Sequence, residues 1–445
     1  MGSYIPNTEK ERMEMLAEIG YESFEDLFSD IPGDVKFKGF LDLPAGISEM
    51  EVIRRMKSIA SKNIVFHKIF RGAGSYNHYI PSIVKSVTSK EEFLTAYTPY
   101  QAEISQGLLQ SIFEFQTMIC ELTGMDVANA SHYDGATAAA EATVMCKDRR
   151  HETVYISESV NPSVIQVMET YCFANDTKLI KIPVKEGITD INALRKALTD
   201  DEKAACLYVQ HPNFFGNFEE VEALGEEIHN AGGKFIMGVN PITLALIKSP
   251  AECGADIAVG DGQPLGIPMS YGGPYVGFMA TTSKLMRKLP GRIVGETKDA
   301  QGRTAYVLTL QAREQHIRRE KAGSNICSNQ DLCALTASVY MAAMGASGLQ
   351  HVAELNMSKA HYLRNELDKI GFKALYDKEF FNEFVTSSPV ESSKLMDTLE
   401  AKGILGGLPL SENHILWCAT EMNTKEDMDE LVSVCNDAIH GKEGK

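Results

Sequence analysis

The sequence predicts an α/β fold: a large, mostly parallel sheet covered by helices, led by a helical arm and followed by a small α+β domain. Three observations predict it. Strand-like runs TVYIS, KLIKIPV, AACLYVQ, KFIMGV, DIAVG and YVGFMA alternate with helix-like segments such as FEEVEALGEEIHNAGG, the pattern of parallel strands joined by helical crossovers. The chain's 445 residues are 44% hydrophobic, enough to bury a substantial core in two or three packed units. Before the strands begin, the chain carries repeated helix-start signals.

The arm is expected over 1–95. Thr8 with Glu11, and Ser48 with Glu51, match the S/T-x-x-E box in which two side chains satisfy orphan backbone donors, and Gly20 supplies a stop. These helices, separated by Asp30-Ile31-Pro32-Gly33 and Leu43-Pro44-Ala45-Gly46, could bury little alone and are expected to pack on something larger. The large domain, 96–329, opens with an amphipathic helix from about Glu103 to Gly124 and continues as the alternating strands and helices. The small domain, 330–445, reads as two long helices, DLCALTASVYMAAMGASG and HVAELNMSKAHYLRNELDKIG, then strands FKALY and HILWCAT and a final helix KEDMDELVSVCNDAIHG. With no internal repeat or flexible linker, the three parts are expected to pack as one body.

The formal net charge of -17 argues against nucleic acid or an anionic membrane as partner, because a phosphate-binding surface needs a concentrated basic face. No stretch approaches the roughly 20 uninterrupted apolar residues of a membrane span, and MGSYIPNTEKERMEML lacks the apolar core of a signal peptide, so the expected location is the cytoplasm. The nine cysteines have no CxxC spacing and are expected to be buried thiols. His316, Cys327 and Cys333 have no recognised ligand spacing, and no metal is expected.

Three segments carry candidate chemistry. Tyr97-Thr98-Pro99-Tyr100-Gln101 concentrates phenols, a hydroxyl and an amide around a rigid proline; it is either a packed turn or an ordered loop that orients a bound carboxylate or ring. Ser131-His132-Tyr133-Asp134-Gly135-Ala136-Thr137 opens a small-residue helix whose N-terminus suits a phosphate, although Asp134 also makes a sound cap and would compete with an anion. Residues 311–330, QAREQHIRREKAGSNICSNQ, set Arg313, Arg318, Arg319 and Lys321 before Gly323-Ser324-Asn325; this is either a solvated charge run or a loop reaching an anionic group.

Taken together, YTPYQAEISQGLLQSIFEFQTMICELTGMDVANASHYDGATAAAEA, GDGQPLGIPMSYGGPYVGFMA and QAREQHIRREKAGSNIC closely resemble subunit 1 of the two-chain glycine decarboxylases, the P-proteins of the glycine cleavage system. The resemblance spans essentially the whole chain. It implies a fold-type-I pyridoxal-phosphate transferase architecture, in which a lysine after a strand of the large domain holds the cofactor and an aspartate pairs with its ring nitrogen. By that analogy the lysine belongs in GADIAVGDGQPLGIPMSYGG, where this chain has Gln263-Pro264 and no lysine from residue 254 to 282. Matching the partner-type Asp-Gly-Ala-Asn to Met237-Gly238-Val239-Asn240 puts a thioether in place of the aspartate.

The resemblance therefore implies a chain that binds no cofactor covalently. It would complete the site of a second, pyridoxal-phosphate-binding subunit, in a heterotetramer of two such pairs. Glycine would be decarboxylated there and its aminomethyl group passed to the lipoyl group of the H-protein. Under this reading Tyr97, Thr98, Tyr100 and Gln101 face the partner's substrate, and Ser324 and Asn325 reach the phosphate of its cofactor. Met237 and Pro264 mark this chain's own degenerate pocket. Two alternatives stay open: a scaffold subunit that only stabilises its partner, and a self-sufficient homodimer in which Lys234 or Lys284 enters the pocket.

Overall fold

The computed structural model describes residues 6–39, 41–199, 201 and 203–441, and the chain divides into two compact units at Ile64/Val65. In the first unit the helices Glu9–Glu18 and Glu49–Ala60 both begin with the predicted boxes. Glu11 N–H donates to Thr8 Oγ1 at 3.3 Å while Thr8 N–H donates to Glu11 Oε2 at 2.6 Å, and Ser48 and Glu51 repeat the exchange. Gly20, at φ 82°, lies just beyond the first helix, a conformation that costs glycine little. No residue of Glu49–Ala60 is buried.

The second unit is built on a seven-stranded sheet in the order Val127–Ala128, Gly277–Thr281, Ile257–Asp261, Lys234–Val239, Ala204–His211, Thr153–Ser157, Leu179–Ile182. The last five are mutually parallel, and Gly277–Thr281 runs antiparallel to both neighbours. The predicted runs land on these strands, except that KLIKIPV breaks at Pro183, which has no N–H to give the ladder; Val184–Lys185 instead pairs with Ile188–Thr189.

Period-two alternation sends side chains to opposite faces. Leu207, Val209, Phe235 and Met237 join Phe115 and Ile119 of the helix Gln106–Thr123 in one core, while Tyr208, Ile236 and Val259 meet the alanine-rich helix Gly135–Cys146 in the other. Gln106–Thr123 ends, as expected, at a left-handed Gly124 (φ 69°), but Glu103 falls in a separate short turn, Ala102–Ile104.

The two long helices expected after 330 are one element, Asp331–Lys369, interrupted where Gly345 turns to φ 61° and ψ 179°. Its length and hydropathy would let it cross a membrane, yet Ala334, Tyr340, Ala353 and Leu363 are buried against the rest of the unit. FKALY does not form the expected strand. Only Ala374 makes an isolated bridge, to Thr386, and the strand is Glu383–Ser387, which pairs with His414–Cys418 and places Phe384 and Val385 in the interior. Lys68–Ile69 pairs with Ile404–Leu405 and Phe70 is fully buried among the C-terminal helices, so residues 65–95 of the expected arm fold with the second unit. Of the nine thiols expected to be buried, six are; Cys120 and Cys333 are half-buried, and Cys327 is exposed.

Candidate active-site cavity and its polar rim

In parallel α/β sheets the carboxyl ends of the strands gather the ligand site. Here a cavity of about 290 Å³ opens there, walled by Tyr208 and Gln210, Gly238 to Pro241, Gly260, Asp261 and Pro264, the helix start at Asp134–Ala136, and the segment 73–76. That segment is held on three sides. Gln263, 1% exposed, accepts Tyr76 N–H at 2.9 Å and donates to Tyr76 O at 2.8 Å and Ile267 O at 2.9 Å. Glu383 accepts Ala73 N–H at 2.6 Å and the Tyr76 hydroxyl at 2.7 Å, and Asn161 donates to Ala73 O at 3.0 Å. Burial pushes the Glu383 carboxyl up to about 7 against those hydrogen bonds.

The anion-binding helix start is occupied by the chain itself. Asp134 Oδ1 accepts Thr137 N–H at 2.8 Å, and Asp261 takes Gly135 N–H at 3.0 Å and Gln263 N–H at 2.9 Å. Burial raises Asp261 to about 7, with Asp134 adding repulsion. The capping role anticipated for Asp134 is thus realised. His132 next to it is buried, bonded to Asn129 at 2.8 Å and pushed down to about 3 by desolvation, so it serves the interior rather than the cavity.

Pro264 stands in the cavity wall. Met237 does not: it is fully buried on the opposite face of the sheet, in the core with Leu207 and Phe235. The wall residue is Gly238, where an added Cβ would lie 2.1 Å from the Tyr208 hydroxyl. Neither Lys234 nor Lys284 lines the cavity, and among the described residues no lysine does.

The other candidates form a separate polar rim. Arg292, 1% exposed, donates from Nη1 to Asn329 Oδ1 at 3.0 Å and from Nη2 to the Tyr100 hydroxyl at 3.3 Å, its guanidinium 5.2 Å from the Tyr100 ring centre. Thr98 Oγ1 lies 3.3 Å from Ser328 Oγ, and the Tyr100 hydroxyl 3.9 Å from Cys327 Sγ. The structure therefore brings the 97–101 loop onto the loop that follows Asn325. Tyr97 is 83% exposed, and neither it nor Gln101 has a side-chain hydrogen bond among the described residues. Ser324 Oγ donates to Glu141 Oε1 at 2.9 Å; Glu141, buried inside the alanine-rich helix, is raised to about 7 by desolvation. Ser324 and exposed Asn325 line another cavity, beside Tyr171. Among the described residues no three His, Cys, Asp or Glu side chains converge as metal ligands.

Arg292, Asp261 and Glu141 were not singled out from the sequence. Each is a lone charge beside or within an apolar run, PGRIV, IAVGD and AAAEATV, and a charge so placed is buried only when something pairs with it.

Residues 2–435 match the family model described as "Glycine cleavage system P-protein". The chain is 47% identical over 441 residues to a protein of Desulfitobacterium hafniense named probable glycine dehydrogenase (decarboxylating) subunit 1, covering 97% of this chain and 98% of that one. It is 48% identical over 440 residues to a protein of the same name from Brevibacillus brevis, covering 97% of each. A crystal structure of a glycine decarboxylase (P-protein) in inhibitor-bound form superposes with a TM-score of 0.92 at 41% identity, over 98% of this chain and all of that one. An alanine–glyoxylate aminotransferase from Nostoc, 18% identical with a TM-score of 0.58 over 85% of this chain and 96% of its own, shares the fold-type-I architecture alone.

Pyridoxal phosphate, where a fold of this type holds it, needs a lysine for a Schiff base and an anion for its ring nitrogen, and the described residues that line this cavity include no lysine. At the helix start Asp134 takes Thr137 N–H and Asp261 takes Gly135 N–H, donors that a phosphate would otherwise use.

Proposed function

This chain belongs to the glycine cleavage system P-protein family, and we propose that it is the first subunit of a two-chain glycine decarboxylase whose pyridoxal phosphate is carried by a second subunit. The single observation that supports this reading is a strand-end cavity whose described lining carries Pro264 and Gly238 and no lysine. The cofactor supplies the electron sink for decarboxylation on the second subunit. This chain positions and orients.

We assign Tyr97, Thr98, Tyr100 and Gln101 to the substrate side of the second subunit's site. In support, Thr98 and Tyr100 are fastened to the body through Ser328 and Arg292, while the Tyr97 phenol and the Gln101 amide have no side-chain hydrogen bond among the described residues. Exposed, rigidly mounted aromatics of this kind anchor interfaces. Ser324 and Asn325 are assigned to the phosphate of the second subunit's cofactor; Ser324 holds the loop through Glu141, and the Asn325 amide has no partner among the described residues. The aminomethyl group is then taken by the lipoyl group of the H-protein. The assembly pairs two such heterodimers, and nine unpaired thiols suit the reducing cytoplasm.

The test is exchange of labelled bicarbonate into glycine, with H-protein present, for this chain, the second subunit and their mixture. Activity in the mixture alone supports the reading; full activity in the second subunit alone refutes it and leaves this chain a scaffold.

A further inference from the structure

Away from the strand-end cavity, a separate cavity of about 330 Å³ lies between the C-terminal half of the helix Gly135–Cys146, the turn 287–291 and the loop 313–326. Its lining carries Lys147, Arg287, Lys288, Arg313, Arg318 and Lys321 against two carboxylates, Glu141 and Glu314. This concentration of positive charge stands out on a chain of net charge -17. The ion pair on the 313–326 loop is Glu314 with His316, 3.7 Å apart, and none of the six cations is ion-paired among the described residues. Lys147 and Lys288 donate to neutral acceptors, Asn175 O at 3.2 Å and Lys147 O at 3.3 Å.

Arg313 is the informative member. Its Nη1 is anchored to Leu289 O, while Nε and Nη2 are both buried and have no hydrogen-bond partner among the described residues. Those two N–H groups form one edge of the guanidinium, the fork that meets an oxyanion through two parallel hydrogen bonds. A buried, unpaired guanidinium edge costs free energy unless a ligand satisfies it. Burial raises both Glu141 and Glu314, so the two acids offset less of the positive charge.

We propose that this cavity is an oxyanion site that takes a phosphate group, held bidentately by Arg313 with Lys321 and Arg318 closing over it. A tetrahedral dianion suits several cations arranged around one arginine fork, and the volume admits a small phosphate ester. The phosphate has two sources: a free phosphate or small ester, or a phosphate presented by the second subunit beside Ser324. Only the latter source rests on the proposed function.

The probe is inorganic phosphate, titrated calorimetrically into the full chain. The expected result is saturable one-to-one binding, weakened about tenfold in R313Q, which removes one charge-assisted fork, and unchanged in R303Q, whose arginine does not line the cavity and pairs with Asp299. No saturable binding, equal binding in R313Q, or equal loss in R303Q overturns the site. If R313Q does not fold, the exposed pair R318Q/K321Q carries the test: weakened binding supports the site and unchanged affinity overturns it. Repeating the titration with the second subunit bound separates the sources, since displaced phosphate assigns the site to that subunit and retained phosphate assigns it to a free ligand.

Discussion

Asp261 accepts the backbone N–H of Gly135 at 3.0 Å, so the helix start that would hold a phosphate in the strand-end cavity is closed by a carboxylate of the same chain. Restoring the lysine alone therefore does not restore a cofactor site. P264K, incubated with pyridoxal phosphate and read by Schiff-base absorbance, is expected to give no stoichiometric adduct, and G238D is expected to destabilise the chain because its Cβ meets the Tyr208 hydroxyl at 2.1 Å. An added core clash costs about 1–3 kcal/mol, measurable by denaturant unfolding.

Glu383 fixes the segment 73–76, and burial holds its carboxyl at about 7, above its ordinary 4.5. Between those values the folded chain binds more protons than the unfolded one. Stability present below the unfolded value is therefore lost as pH rises through the folded one. Chemical denaturation is expected to show a loss on the order of 2 kcal/mol from this group between about pH 5 and pH 8. E383Q, which keeps an acceptor for Ala73 N–H, flattens that slope; an unchanged slope contradicts the assignment.

Y100F keeps the ring beneath Arg292 and removes only the hydroxyl that accepts from it at 3.3 Å. It is expected to change stability by no more than about 1 kcal/mol and to lower exchange turnover of the mixed enzyme about tenfold or more, the loss of one aligned polar contact at the reacting centre. Turnover equal to the parent removes Tyr100 from the site.

Cys327, exposed and 3.9 Å from the Tyr100 hydroxyl, is expected to be the first thiol alkylated in the native chain, with the six buried thiols reacting only on unfolding. Adding the second subunit is expected to slow its labelling, since the proposal places this rim at the interface. Labelling at an unchanged rate would put the interface elsewhere.

Most of the fold was legible because its signals are local: capping pairs at Thr8 and Ser48, strand runs with β-branched residues, and a terminating Gly124. What was not legible was side-chain facing and long-range pairing. Alternation along the strand puts Met237 in the core and its neighbour Gly238 at the cavity wall. FKALY looked like a strand as much as the EFVTS run that became one, and only its buried pairing with His414–Cys418 decided between them. Arg292 could not be placed from sequence because its partners, Tyr100 and Asn329, lie 192 and 37 residues away.

The most direct test of the division of labour is to reduce the active two-chain enzyme with borohydride and locate the pyridoxyl-lysine by peptide mass spectrometry. The account predicts a stoichiometric adduct on a lysine of the second subunit and none on this chain. A stoichiometric adduct on any lysine of this chain would contradict it.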